Sequence, residues 1–163
     1  MAANELLLAW LKDAHAIEEA LIPNLENHAK DARDHPQIEA RFRQHIEETR
    51  RHADLVRGCI ERLGDKPSAA KAVLGKFIGG IGALGTGPFS DELVKDFVVD
   101  YGAENLEIAS YQRLIIAARE LGDEATASTC EQIIPDEQAM ARAIEENLSI
   151  VVLDTLHSQA AAR

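Results

Sequence analysis

The sequence predicts an all-α protein, a bundle of four long helices with one long crossover between the second and the third. Three observations carry this. Ala, Leu, Glu, Arg and Ile dominate, and apolar residues recur at helical spacing with almost no period-two alternation. Helix-stopping residues then divide the chain into four long stretches. Finally, the two outer joints between stretches are short and the middle one is long.

The first stretch runs from about Asn4 to Ala32 and stops before Asp34-His35-Pro36, because a residue preceding proline resists the α region. The second runs from about Pro36 to Leu63 and ends at Gly64, with Pro67 beyond. The third starts near Ser90, whose hydroxyl precedes Asp91, Glu92 and an apolar run, and ends at Leu121 before Gly122. The fourth starts at Asp123 and meets no strong breaker after Pro135. Pro23 and Pro135 each remove an intrahelical hydrogen bond, so each should kink its helix or open a turn. At Pro135 a plain break is the alternative, since Asp136 and Glu137 would suit a new helix N-terminus. The apolar tail from Leu148 to Leu156 either extends the fourth helix or forms a fifth, C-terminal helix over the bundle end. Such a run also suits a homodimer interface.

Short joints make helices one and two antiparallel neighbours, and likewise three and four. The connection from Asp65 to Glu92 holds a short helical candidate, Ser68 to Phe77, followed by glycines 79, 80, 82, 85 and 87. It is long enough to travel the length of such a helix, about 43 Å at 1.5 Å per residue, so helices two and three can run parallel. One long crossover inside a four-helix bundle is the ferritin-like arrangement.

Length and charge narrow the function. The 163 residues suit a single domain over 1–163. A net charge of −11 argues against nucleic acid and against an anionic membrane surface as partners. Cys59 and Cys130 are too few for a disulfide framework, and neither belongs to a C-x-x-C pair. The leucines at 6 to 8 follow Glu5 and are cut short by Lys12 and Asp13, which is not a signal peptide. The least polar run, Phe77 to Gly87, is too short and too rich in glycine to span a membrane. The expectation is a cytoplasmic protein with no small organic cofactor.

The chemistry shows where apolar seams are interrupted. Helix one reads Leu7, Leu11, Ala14, Glu18, Leu21, Leu25, with a carboxylate in the middle. Burying an unpaired carboxylate costs several kcal/mol, so Glu18 should meet a cation, a proton or donors. Helix two reads Ile38, Phe42, His45, Thr49, His52, Val56, Cys59, Leu63, and Glu48 flanks this seam between the two histidines. Imidazole and carboxylate one turn apart can hold one metal ion from two sides. Helix three has the strict stripe Phe97, Tyr101, Glu104, Ile108, Tyr111, Ile115, Ala118, with Glu107 on its flank, so pattern alone allows either glutamate inward. Helix four reads Cys130, Ile134, Glu137, Ala141, Ile144, Leu148, Val151. Any one such Glu is ordinarily a residue that snorkels or pairs with Arg. Interruptions on all four helices, near the middle of each, point instead to a carboxylate-bridged metal pair. Hard oxygen donors with imidazole suit iron or manganese.

Three of these stretches resemble a known family. Asp13-Ala-His-Ala-Ile-Glu18-Glu-Ala-Leu-Ile-Pro23 resembles the first-helix motif of the bacterial YciE/YciF-type ferritin-like stress proteins. His45-Ile-Glu-Glu48-Thr-Arg-Arg-His52-Ala-Asp-Leu resembles its H-x-x-E-T-x-x-H pattern, and Glu104-Asn-Leu-Glu107-Ile-Ala-Ser-Tyr111 its third helix. Cys130 to Ile144 is compatible with the fourth. The resemblance implies a ferritin-like bundle, a homodimer and a di-iron centre, and it favours Glu107 over Glu104.

The ligand set is then Glu18, Glu48, His52, Glu107 and Glu137, with His45 as an auxiliary ligand or a donor behind them. Two iron ions are expected, with manganese or zinc as other candidates. Two departures bear on this. Glu48 and His52 are one residue further apart than Glu-x-x-His. Met140 stands where helix four would carry a second histidine, and a thioether is a poor ligand for oxidised iron. The second metal position therefore lacks its nitrogen unless His45 supplies it. Tyr111, one turn from Glu107, is placed to hydrogen-bond a ligand carboxylate. His15, His28, His35 and His157 have no partner at ligand spacing and read as surface residues. The functional expectation is a metal-binding protein that oxidises Fe(II) in a bacterial stress response. The rival is a cofactor-free dimeric bundle without catalytic activity.

Overall fold

The computed structural model describes residues 3–67 and 91–161. The described residues form α1 (Ala3–Asp31), a 3-10 turn (Ala32–Asp34), α2 (Pro36–Arg62), α3 (Glu92–Glu120) and α4 (Glu124–Ala161). The expected short helix at 68–77, the glycines after it and the Ser90 cap lie outside the described residues.

The stops act as the sequence implies. α2 opens with Pro36 in its first turn, where the missing N–H costs nothing. It closes at Gly64, whose φ of 82° is left-handed. There the Gly64 N–H donates to the Glu61 carbonyl at 3.0 Å and the Asp65 N–H to that of Ile60 at 3.2 Å. The same two-bond motif closes α3 at Gly122, φ 73°, with Gly122 on Arg119 and Asp123 on Ala118. Asp123 at once caps α4, accepting the Thr126 N–H at 3.0 Å. That joint therefore fixes a stop and a start in two residues. Pro23 and Pro135 both lie inside unbroken helices, so Pro135 does not divide the fourth. The C-terminal tail is the continuation of α4 and not a fifth helix.

The packing fixes direction. One apolar cluster joins the start of α1 (Leu7, Leu11), the end of α2 (Val56, Ile60), the end of α3 (Leu114, Ala118) and the start of α4 (Ala127, Cys130). The other joins the end of α1 (Leu21, Leu25), the start of α2 (Ile38, Phe42), the start of α3 (Phe97) and the far half of α4 (Met140, Ile144). Helices α2 and α3 thus run parallel. This is the ferritin-like topology. No described helix is long and apolar enough to cross a membrane.

Three of the four seams are buried largely as expected; α3 is turned. Its inward positions are Phe97, Asp100, Ala103, Glu104, Glu107, Tyr111, Leu114, Ile115 and Ala118. Tyr101, expected inside, is 41% exposed. The stripe takes a three-residue step from Phe97 where the sequence reading took four. That phase brings Glu104 and Glu107 onto one face, so the choice between them does not arise. The outward face confuses the pattern, because Val98, Leu106 and Ile116 are apolar and exposed. On α2 the last seam residue, Leu63, is exposed, as is Leu148 on α4.

Two substitutions probe this arrangement. Leu114→Ala in the first cluster should cost roughly 2–5 kcal/mol in urea unfolding. Leu153→Ala on the exposed end of α4 should change stability by no more than about 0.5 kcal/mol. Equal losses at both sites would contradict the packing.

Candidate metal centre

Between the two apolar clusters lies a polar layer supplied by all four helices. Glu18, His45, His52, Glu104 and Glu137 are each 1% exposed or less. Burial and helical spacing place them there together. Glu18 follows Ala14 by one turn on α1, and Glu137 precedes Met140 on α4. On α2, His45 and His52 lie two turns apart on the buried face.

Two three-residue groups converge. Ligand atoms of Glu18, His52 and Glu137 lie within 4.8 Å of one another, and so do those of His45, Glu104 and Glu137. Glu137 belongs to both. In the first group His52 Nδ1 is 2.8 Å from Glu137 Oε1 and 3.7 Å from Glu18 Oε1. In the second His45 Nε2 is 3.0 Å from Glu104 Oε1 and 3.6 Å from Glu137 Oε2. His45 places a ring nitrogen in this second group, where Met140 offers none.

The atoms facing this space are poorly satisfied. Glu18 Oε2, His52 Nδ1, Glu104 Oε2 and both oxygens of Glu137 are buried and have no hydrogen-bond partner. His52 Nδ1 comes close to Glu137 without the direction of a hydrogen bond. Its other nitrogen, Nε2, lies 3.1 Å from Asp136 Oδ2, which also accepts from Arg51 at 2.6 Å. Because Asp136 can only accept, Nε2 carries its proton outward. Nδ1 faces the two carboxylates, the arrangement of a metal-binding imidazole held by a carboxylate behind it. A hard cation would satisfy every one of these acceptors, and the donor set of carboxylates and imidazoles matches iron or manganese.

The remaining residues take other places. Glu107 is 3% exposed and is held well above the usual carboxylate range by burial and then by the charge of Glu18. It lies in the field of the centre but in neither three-residue group. Glu48 sits at the edge. It accepts from Arg41 Nη1 at 2.9 Å and Gln44 Nε2 at 2.7 Å, and lies 3.1 Å from His45 Nδ1. Tyr111 donates to Glu18 rather than to Glu107. Glu104, which the helix-three stripe contained and the resemblance passed over in favour of Glu107, lies within ligand distance of His45. The contact of Asp136 with His52 is purely tertiary and left no local signal.

His15 and His28 are not surface residues. His15 is buried, and burial lowers its pKa. His28 bridges Asp100 at 2.8 Å and Asp96 at 3.2 Å.

The electrostatics follow from crowding carboxylates in a dry layer. Burial, then the Glu137 charge, pushes Glu18 well above its usual range against the Tyr111 hydrogen bond. Burial also pushes Glu104 up to about 8, although His45 opposes it. Burial would lower His45, but hydrogen bonds to Glu104 and Glu48 outweigh it and raise the ring to about 10. Glu48 resists its own burial because His45, Arg41 and Gln44 bind its charge, and it falls to about 2. In the metal-free protein the layer therefore holds protons and an imidazolium where a metal would place its charge.

A family match covers residues 2–157, and the family is described as a domain of unknown function, DUF892. The chain belongs to the DUF892 family. A crystal structure of a protein from Xanthomonas campestris pv. campestris is 30% identical, covering 98% of this chain and 99% of that one, with a TM-score of 0.83. The E. coli stress protein YciF is 20% identical, covering 93% and 98% of the two chains, with a TM-score of 0.80. A Desulfovibrio desulfuricans bacterioferritin, described with its diiron site, is 24% identical, with coverage of 90% and 80% and a TM-score of 0.72. The two more distant likenesses bear on the fold, which is that of the ferritin-like bundles.

The shifts set a pH dependence for the metal-free protein. From pH 4.5 to about 8 the unfolded chain has lost the Glu104 proton while the native chain keeps it, so stability falls as pH rises. His45 acts in the same direction: its contribution is complete below 6.5 and lost as pH rises through about 10. Glu48 acts in the opposite window, contributing above 4.5 and losing that as pH falls toward about 2. Calorimetric Tm should therefore peak near pH ~5 and decline steadily to pH ~10. A Tm that rises across that interval would contradict the protonated layer.

Proposed function

We propose that this chain binds two metal ions, with iron as the physiological metal, and oxidises Fe(II). The observation that supports this best is the sharing of Glu137 between two buried three-residue groups. In this reading Glu18, His52 and Glu137 hold one ion, and His45, Glu104 and Glu137 hold the other. Glu107, which feels the charge of Glu18 most strongly, is a further carboxylate beside this layer. Glu48 orients His45 by accepting from Nδ1, and Asp136 does the same for His52.

Ferrous iron is the substrate of this reading. Two Fe(II) lose one electron each, and dioxygen takes both electrons and two protons to leave as hydrogen peroxide. The chain's own part is to hold oxygen and nitrogen donors in a dry cavity whose charge favours the more highly charged oxidised ion. Tyr111 keeps Glu18 in place through its hydroxyl. Protons leave the carboxylates as the metal arrives, so affinity should rise with pH.

The cofactor-free reading must satisfy the seam carboxylates with protons and histidines. Among the described residues, the ion pairs of Glu18, Glu104 and Glu137 are with His45 and His52 alone.

Glu137→Gln removes the shared carboxylate. Anaerobic calorimetric titration with Fe(II) should show affinity down by on the order of 100-fold or more at both positions. Circular dichroism should show unchanged helicity. Glu48→Gln should leave both ions bound. Stoichiometric tight binding by Glu137→Gln would sink the ligand assignment.

A further inference from the structure

One buried cluster of titratable groups lies outside both three-residue groups. His28 stands in the last turn of α1, and Asp96 and Asp100 lie one turn apart near the start of α3. His28 Nδ1 is 2.8 Å from Asp100 Oδ2, and its Nε2 is 3.2 Å from Asp96 Oδ1. The Asp100 side chain is 1% exposed, and those of His28 and Asp96 are 13% and 15% exposed. One imidazole thus joins two helices, with a carboxylate at each nitrogen.

Such a bridge needs a definite number of protons. A neutral imidazole has one N–H and one lone pair, and an ionised carboxylate only accepts. When Nδ1 donates to Asp100, Nε2 and Asp96 meet lone pair to lone pair unless one further proton lies between them. That proton sits on the ring, as an imidazolium, or on Asp96, as a carboxylic acid. The remaining oxygen of Asp96, Oδ2, is buried and has no hydrogen-bond partner.

We propose that the His28 bridge is a pH-sensitive clamp, which ties the end of α1 to the start of α3 while it holds this proton and lets Asp96 go when the proton leaves. The clamp is independent of the metal reading.

The groups around it set its range. Asp96 and Asp100 face the ring from α3, and Asp31 adds its charge from α1. From α2 the Phe42 ring packs edge-on against His28, with centroids 6.3 Å apart, and the charge of His45 reaches Asp100. Burial would lower the His28 pKa, but the hydrogen bond to Asp100 and the three aspartate charges outweigh it and raise the ring above 6.5. The end of the α1 dipole also favours a cation there. Burial, helped by the charges of Asp100 and Asp31, pushes Asp96 up to about 7 against that of His28. Both possible holders of the bridging proton therefore titrate above their ordinary values, and their shifts act in one direction. The folded chain keeps a proton that the unfolded chain has lost, so the clamp is complete in mild acid and is lost as pH rises.

Its position makes the loss felt. Phe42 also packs on Phe97, with centroids 6.0 Å apart, so His28 closes one side of an aromatic pair in the second apolar cluster. Asp100 is one turn from Glu104 on α3, and Phe42 is one turn from His45 on α2. Release loosens α1 from α3 beside the polar layer.

Asp96→Asn tests the clamp, because an amide accepts from a charged ring and donates to a neutral one. Calorimetry of the metal-free proteins should show an unchanged Tm at pH ~6, and at pH ~10 a variant Tm about 3 °C or more above the parent. A second measurement needs no variant of doubtful folding. In NMR of isotope-labelled histidine, with the His28 signal assigned by its loss in His28→Gln, the parent ring should carry protons on both nitrogens at pH ~6 and titrate above 6.5. In Asp96→Asn it should titrate at lower pH than in the parent. A Tm difference that is the same at both pH values, or a parent His28 that titrates at or below 6.5, overturns the clamp.

Discussion

The structure depends on a cost: five carboxylates, Glu18, Glu48, Glu104, Glu107 and Glu137, are drawn into or against one layer of the bundle, all of them buried. Charge in a low-dielectric interior is expensive, and like charges raise the expense. The chain meets it with protons on Glu18, Glu104 and Glu107, an imidazolium at His45 and a hydroxyl from Tyr111. These groups occupy the places where a divalent cation would supply the same charge. An apolar layer there would be more stable, so the layer is retained at a cost to the fold.

The rest of the architecture supports that layer from both sides. Apolar clusters above and below it hold four helices in register, and the shared residue Glu137 sits between Ile133 and Met140 on α4. Because α2 and α3 run parallel, His45 meets Glu104 and Phe42 meets Phe97, whose ring centroids are 6.0 Å apart. The glycine stops at Gly64 and Gly122 end α2 and α3 at the same end of the bundle. A register shift of one residue on any helix would carry a ligand out of the layer.

Much of this was legible in the chain. Proline and glycine marked the helix ends because φ is either locked or freed there, and those effects are local. The interrupted seams of α1, α2 and α4 gave Glu18, His45, His52 and Glu137, because one apolar face against a polar one leaves little choice of phase. On α3 both faces are apolar in part, so the stripe could be drawn two ways: it held Glu104 but took Tyr101 for an inward residue and left Asp100 out. Glu48 lies on the flank of its seam, where sequence cannot say whether it turns to the centre or to Arg41 and Gln44. Asp136 and the His28 bridge depend on contacts between helices far apart in the chain. Spacing within one helix carries no trace of them.

The central claim is that the polar layer is a place for two metal ions. Elemental analysis of untagged protein, loaded anaerobically with Fe(II) and desalted, tests it most directly. The account predicts close to two irons per chain. A ratio near zero would contradict it, leaving a bundle whose buried carboxylates are satisfied by protons and His45 alone.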